Sequence, residues 1–130
     1  MSNGKSSSML PRGPAGAWRA LCWSLKGIAI AWRVEESFRL EVYLFVVLAP
    51  LGLWLGQTGV ERTLLFGCLI PVMAAELLNS SIEALIERYG AEHHELAGRA
   101  KDMGSAAVFV LMMNVLACWG LVLIPRYLAH

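Results

Sequence analysis

Between Met103 and Pro125 the chain reads Met-Gly-Ser-Ala-Ala-Val-Phe-Val-Leu-Met-Met-Asn-Val-Leu-Ala-Cys-Trp-Gly-Leu-Val-Leu-Ile-Pro, without a single Asp, Glu, Lys, Arg or His. A helix needs about 20 mostly apolar residues to cross roughly 30 Å of hydrocarbon, and this run is long enough. Upstream, Val42 to Val60 is equally free of charge. A third such stretch, Thr63 to Ala75, is too short to span unless it continues through Glu76, Asn79 and Glu83. Those carboxylates then lie at or near membrane depth. In lipid the backbone must satisfy its own hydrogen bonds, so helix is the form open to three such segments. Pro50 and Pro71 are expected to bend their helices, and Pro125 to lie at the end of the third.

Composition agrees. Of 130 residues, 57% are A, V, I, L, M, F, W, Y or C, and twelve glycines come on top; soluble domains reach about 45–50% apolar with glycine included. Charged residues are 16%, against roughly 25% in an ordinary soluble domain, and mean hydropathy is +0.55. Disorder, a soluble enzyme of average build and a disulfide scaffold are disfavoured. A net charge of +1 gives no field that would draw nucleic acid. Cys22, Cys68 and Cys118 stand singly in apolar surroundings and read as small buried hydrophobes.

Residues 1–14, with Ser6-Ser7-Ser8, Pro11 and Pro14, read as a solvated cytoplasmic tail ahead of one membrane domain, 15–130. The domain's spans are expected at about 42–60, 63–84 and 103–125. Ala15 to about Val34 is amphipathic: Trp18, Leu21, Cys22, Leu25, Ile28, Ala29 and Trp32 share one face, and Arg19, Lys26 and Arg33 another. A basic stripe beside a tryptophan-rich face describes a helix lying in the headgroup layer. Six basic residues precede Val42, one lies in the Gln57–Arg62 turn, three in 84–102 and one after Pro125. The positive-inside rule then puts the amino terminus in the cytoplasm and the carboxy terminus outside. The fold class is an all-α membrane protein, one interfacial helix followed by three spans.

Two stretches carry chemistry. On a helix, Glu76, Asn79, Ser80, Glu83 and Glu87 fall within one arc of roughly 100°. An acidic stripe leaving an apolar span is costly unless it pairs, binds a cation or faces water, and such oxygen ligands suit Mg²⁺. Glu76 and Glu83 are about 10.5 Å apart along the axis, too far to grip one small ion together. One of them then holds metal with a carboxylate from elsewhere; Glu35 is well placed, with Glu36 and Glu41 as alternatives. The second stretch, Glu92-His-His-Glu-Leu-Ala-Gly-Arg-Ala-Lys-Asp-Met-Gly-Ser105, has no zinc spacing, phosphate-binding glycine loop or protein-kinase motif.

The runs Ala75-Glu-Leu-Leu-Asn-Ser-Ser-Ile-Glu-Ala84 and Glu95-Leu-Ala-Gly-Arg-Ala-Lys-Asp-Met-Gly-Ser-Ala-Ala107 resemble the bacterial integral-membrane diacylglycerol kinases. Ser24-Leu-Lys-Gly27 through Phe38-Arg39-Leu-Glu41 matches too, so the likeness covers about residues 18–125. The Glu76–Glu83 motif is shared with the undecaprenol kinases, whereas Lys101-Asp-Met-Gly-Ser-Ala-Ala107 is closer to the diacylglycerol enzymes of Gram-negative inner membranes. The resemblance implies that Glu76 is the catalytic base, supported by Asn79, and that Glu35 and Glu83 hold Mg²⁺. ATP would also meet Glu92, His94, Lys101 and Asp102. The lipid would meet Ser24, Ala31, Trp32, Phe38, Arg39, Glu41, Glu76 and Ser105, with Trp54, Arg62 and Trp119 toward its tails. It further implies a homotrimer with shared active sites, making phosphatidate for phospholipid metabolism. Gly16, Trp23 and His93 depart from the family's pattern, standing for an Arg and two Tyr. Outside this class, a small proton-coupled transporter is the competing reading of intramembrane carboxylates.

Overall fold

A computed structural model describes residues 13–89 and 94–128. Among them the regular structure is helical throughout: α1 (Gly13–Val34), α2 (Glu36–Leu55), α3 (Gly59–Gly67), α4 (Ile70–Tyr89) and α5 (Glu95–Leu128). Three stretches are long and apolar enough to cross a membrane: α2, the Gly59–Tyr89 stretch formed by α3 and α4, and α5. The expected tail lies, except for Gly13 and Pro14, outside the described residues.

Local chemistry sets the breaks. Glu35 stands between α1 and α2 in an extended conformation, and its carboxylate makes no capping hydrogen bond. Arg39 folds back to close α1, its Nη1 donating to the carbonyls of Trp32 and Arg33 at 2.9 and 3.0 Å. α2 takes in Glu36, Arg39 and Glu41 and stops at Leu55, short of Val60. The stop follows from a tight turn: a Cβ at Gly56 would lie 2.6 Å from Arg62 Cγ and 2.9 Å from its backbone nitrogen. Thr58 then caps α3, its hydroxyl accepting from the Glu61 N–H at 3.1 Å.

The second span is interrupted at Cys68 and Leu69. Pro71 is the cause: its ring clashes with the carbonyl of Gly67, four residues back, and it offers no N–H. Pro50 and Pro125, by contrast, sit inside α2 and α5, and the third span's helix continues past Pro125 to Leu128. α4 packs most extensively on α5, α2 lies against both α3 and α4, and α1 touches α2 and α4.

The buried apolar core is thin, comprising Phe38, Ala49, Leu65, Cys68, Leu69, Val72 and a few smaller contacts. Most large apolar side chains of the spans, among them Val46, Val110, Leu116 and Leu121, face outward. That distribution suits hydrocarbon as the surrounding solvent. Cys22 departs from the expectation for the cysteines: it is exposed on α1, because the packed seam of that helix is Gly16 and Ala31. Cys68 is buried and Cys118 half-buried.

Candidate active site

α4 carries the acidic stripe from the core to the surface. Glu76, Asn79 and Ser80 are buried, Glu83 is half-buried and Glu87 is exposed. These three buried polar residues sit together because α4 turns one face toward α5 and the other toward α1. Glu76 is only 7% exposed, and the carboxyls of Glu41, Glu83 and Glu35 lie within electrostatic reach of it.

Two grooves run along α4. The first, about 490 Å³, lies against α5 and is lined by Ser37, Glu76, Asn79, Glu83, Lys101, Asp102 and Ser105, with Val108, Phe109 and Met112 as its apolar end. One cavity thus combines a carboxylate at depth, a second nearer the surface, an ammonium and a hydroxyl. Among the described residues Lys101 and Asp102 are exposed and take no part in an ion pair. The second groove, about 470 Å³, lies between α1 and α4 and is lined by Ser24, Gly27, Ala31, Glu35, Ser80 and mostly apolar neighbours. Glu35 and Glu83 therefore line different grooves of one chain. A third space is an apolar cleft of about 230 Å³ with Glu41 at its rim.

Two buried oxygens, Asn79 Oδ1 and Ser80 Oγ, have no hydrogen-bond partner among the described residues. Buried polar atoms are rarely left so, and these two flank the grooves that hold the carboxylates. Among the described residues no three His, Cys, Asp or Glu side chains cluster closely enough to cage a metal ion. Mg²⁺ does not require such a cage. It keeps several waters and takes one or two carboxylates plus substrate phosphate, and Glu83 and Glu35 each offer one carboxylate, from different grooves.

The other expected contacts are dispersed. Ser24 and Ala31 share the α1 groove with Glu35, and Trp32 stacks edge-on against Tyr43 at 5.6 Å. Phe38 is buried, while Arg39 borders a further groove, about 430 Å³, with Glu36, Ser37 and Tyr43. Trp54 is exposed on α2. Arg62 Nε donates to the carbonyls of Leu53 and Gly56, and the Trp119 indole to that of Leu65. His94 Nδ1 accepts from the Leu96 N–H at 3.1 Å, capping α5. Glu92 and His93 lie outside the described residues. Sequence reasoning missed Gly104, whose lack of a side chain lets α5 approach Asn79; a glycine inside a helical run was the available signal.

Comparison with known proteins gives the family. The family model described as prokaryotic diacylglycerol kinase matches residues 22–123. The diacylglycerol kinase of Haemophilus influenzae is 46% identical over 98 residues, 75% of this chain and 83% of that protein. That of Escherichia coli K12 is 41% identical over 105 residues, 81% of this chain and 86% of that protein. That of Pseudomonas aeruginosa is 41% identical over 102 residues, 78% of this chain and 83% of that protein. The chain belongs to the prokaryotic diacylglycerol kinase family.

Proposed function

We propose that this protein transfers the γ-phosphoryl group of ATP to the hydroxyl of 1,2-diacylglycerol, giving phosphatidate and ADP, at the cytoplasmic face of a bacterial inner membrane. The observation that carries the reading is the groove in which Glu76, Asn79, Glu83, Lys101, Asp102 and Ser105 meet. A transporter gives no reason for an ammonium and two acidic groups at the mouth of the same cavity.

The lipid hydroxyl oxygen bonds to the γ-phosphorus as the bond to the bridging oxygen of ADP breaks. Glu76 accepts the hydroxyl proton, which requires a carboxylate with no cation holding it. Phosphoryl transfer runs through a loose transition state and asks mainly for positioning and neutralisation of charge. Lys101 supplies one positive charge against the phosphates. Glu83 and Glu35 would hold Mg²⁺, which when bound with the nucleotide adds charge neutralisation. Asn79 positions Glu76 or the transferring group by donating from its side-chain amide NH2. α1 lies in the headgroup layer, its basic stripe against lipid phosphates, and brings Ser24 and Ala31 to the lipid. The amino terminus is cytoplasmic and the carboxy terminus periplasmic. A homotrimer with shared sites fits the division of Glu35 and Glu83 between two grooves.

Purified protein given labelled ATP with diacylglycerol or undecaprenol tests this. Label in phosphatidate supports it. Preferential label in undecaprenyl phosphate replaces the acceptor with a polyprenol, and label in neither lipid removes the kinase reading.

A further inference from the structure

We infer that Trp119 is a positioning residue of the phosphoryl-transfer groove, holding the second span in register against the third through the backbone carbonyl of Leu65. That role rests on the assignment of Glu76 and Asn79 to the reacting groove.

In an unbroken helix the Leu65 carbonyl would accept from the N–H of Leu69. Here the Leu69 N–H donates to the Phe66 carbonyl instead, at 3.2 Å, as the chain adjusts to Pro71. Leu65 is completely buried, and an unpaired carbonyl at membrane depth is costly. The indole Nε1–H of Trp119, on α5, donates to it at 3.1 Å. The Cys68 thiol adds a longer and weaker bond at 3.5 Å. The same ring closes a three-helix junction, for a Cβ at Gly52 would lie 3.3 Å from Trp119 Cζ2 and 3.1 Å from Leu65 Cβ. There is no slack at this point.

A second point of close approach lies toward the other end of α5, where Gly104 meets Asn79 on α4, the helix that follows the break at Cys68 and Leu69. Held to α5 through Leu65 before the break and through Asn79 after it, the second span is fixed against sliding and rotation as a whole. Glu76 sits between them, one turn from Asn79. A slip of one residue would swing it by about 100°, out of the groove that holds Lys101 and Ser105. The N–H of Trp119 is engaged within the protein, while its half-buried ring leaves the expected contact with lipid tails open to the same residue.

The test puts β-(3-benzothienyl)alanine at position 119, which keeps the fused ring and lacks the N–H, with Trp119→Phe as the second variant. Both are assayed as whole chains in mixed micelles. A positioning role lowers kcat about tenfold, in line with a modest displacement of reacting groups, and leaves KM for MgATP and for diacylglycerol near the parental values. A lipid contact would instead raise KM for diacylglycerol with kcat intact, which overturns the inference. Parental kinetics in both variants overturns it too, and failure of both to assemble makes Trp119 a folding residue only. Glu76→Gln in the same assay isolates the underlying assignment, because full activity there removes the site whatever Trp119 does.

Discussion

Gly104 of α5 faces Asn79 of α4 so closely that a Cβ on the glycine would strike the Asn79 Oδ1. Both residues are buried, and that oxygen has no hydrogen-bond partner among the described residues. The small residue is thus the condition for the place of the amide beside Glu76.

Gly104→Ala should separate activity from stability. The struck atom ends a side chain that can swing, and the next contacts, 3.4 Å to Asn79 Cγ and 3.5 Å to Ile82 Cδ1, are ordinary. Overpacking would cost about 1 kcal/mol, the low end of its range, and alanine's better helix propensity offsets about 0.5–1 kcal/mol of that. Displacing Asn79 should nevertheless reduce kcat, by up to roughly 10²-fold for a shift of about 1 Å. Thermal unfolding in detergent and initial rates on one sample check it. A stability loss in proportion to activity would make Gly104 a packing residue and nothing more.

Glu76→Gln keeps size and most hydrogen bonding and cannot take the lipid proton. Loss of a general base typically costs about 10²–10⁴ in rate, and the loss should fall on kcat with nucleotide binding nearly intact. A well-assembled variant that keeps more than about a tenth of parental kcat lies outside that range and ends the base assignment.

Arg126→Gln should affect stability and spare the chemistry. The Arg126 guanidinium donates to the Leu55 carbonyl at 2.6 Å and to the Glu61 carboxylate, tying the end of α5 to the turn between α2 and α3. Glu61 keeps its bond from the Gln57 N–H at 2.7 Å without the arginine, so no carboxylate is orphaned. A modest loss of stability, limited by solvent screening of the pair, should appear in unfolding measurements with kcat unchanged. A large fall in kcat of the folded protein would show that this distant staple reaches the groove.

The spans were legible because a membrane imposes length and apolarity on a sequence more strictly than water does. The acidic face of α4 was legible for a related reason: Glu76, Asn79 and Glu83 share a helix face by spacing alone. Pairings between helices were not. Nothing in the order of residues says that Gly104 meets Asn79, that Trp119 reaches Leu65, or that Glu35 opens onto a different groove from Glu83. Those depend on how α5 and α1 dock on α4, and the break at Cys68 that sets one of them arises from Pro71 acting on a carbonyl four residues back.

That division of carboxylates gives the remaining prediction. Ser80 faces the groove of Glu35, and its neighbour Asn79 faces the groove of Glu83. Two ligands on opposite sides of α4 should still act on one nucleotide if a neighbouring copy completes each site. Glu83→Gln and Glu35→Gln should then both raise the Mg²⁺ concentration needed for half-maximal rate. The expected shift is roughly 10–100-fold, the scale on which altering a metal site changes affinity or activity. Titration of activity with Mg²⁺ at fixed ATP measures it. A normal requirement in Glu35→Gln alone would move the second ligand to Glu36, which shares a groove with Arg39, or to Glu41, which lines the apolar cleft. The same titration on Glu36→Gln and Glu41→Gln then decides between them, because the true ligand must reproduce the shift seen in Glu83→Gln. A normal requirement in Glu83→Gln itself would remove the metal from this face of α4.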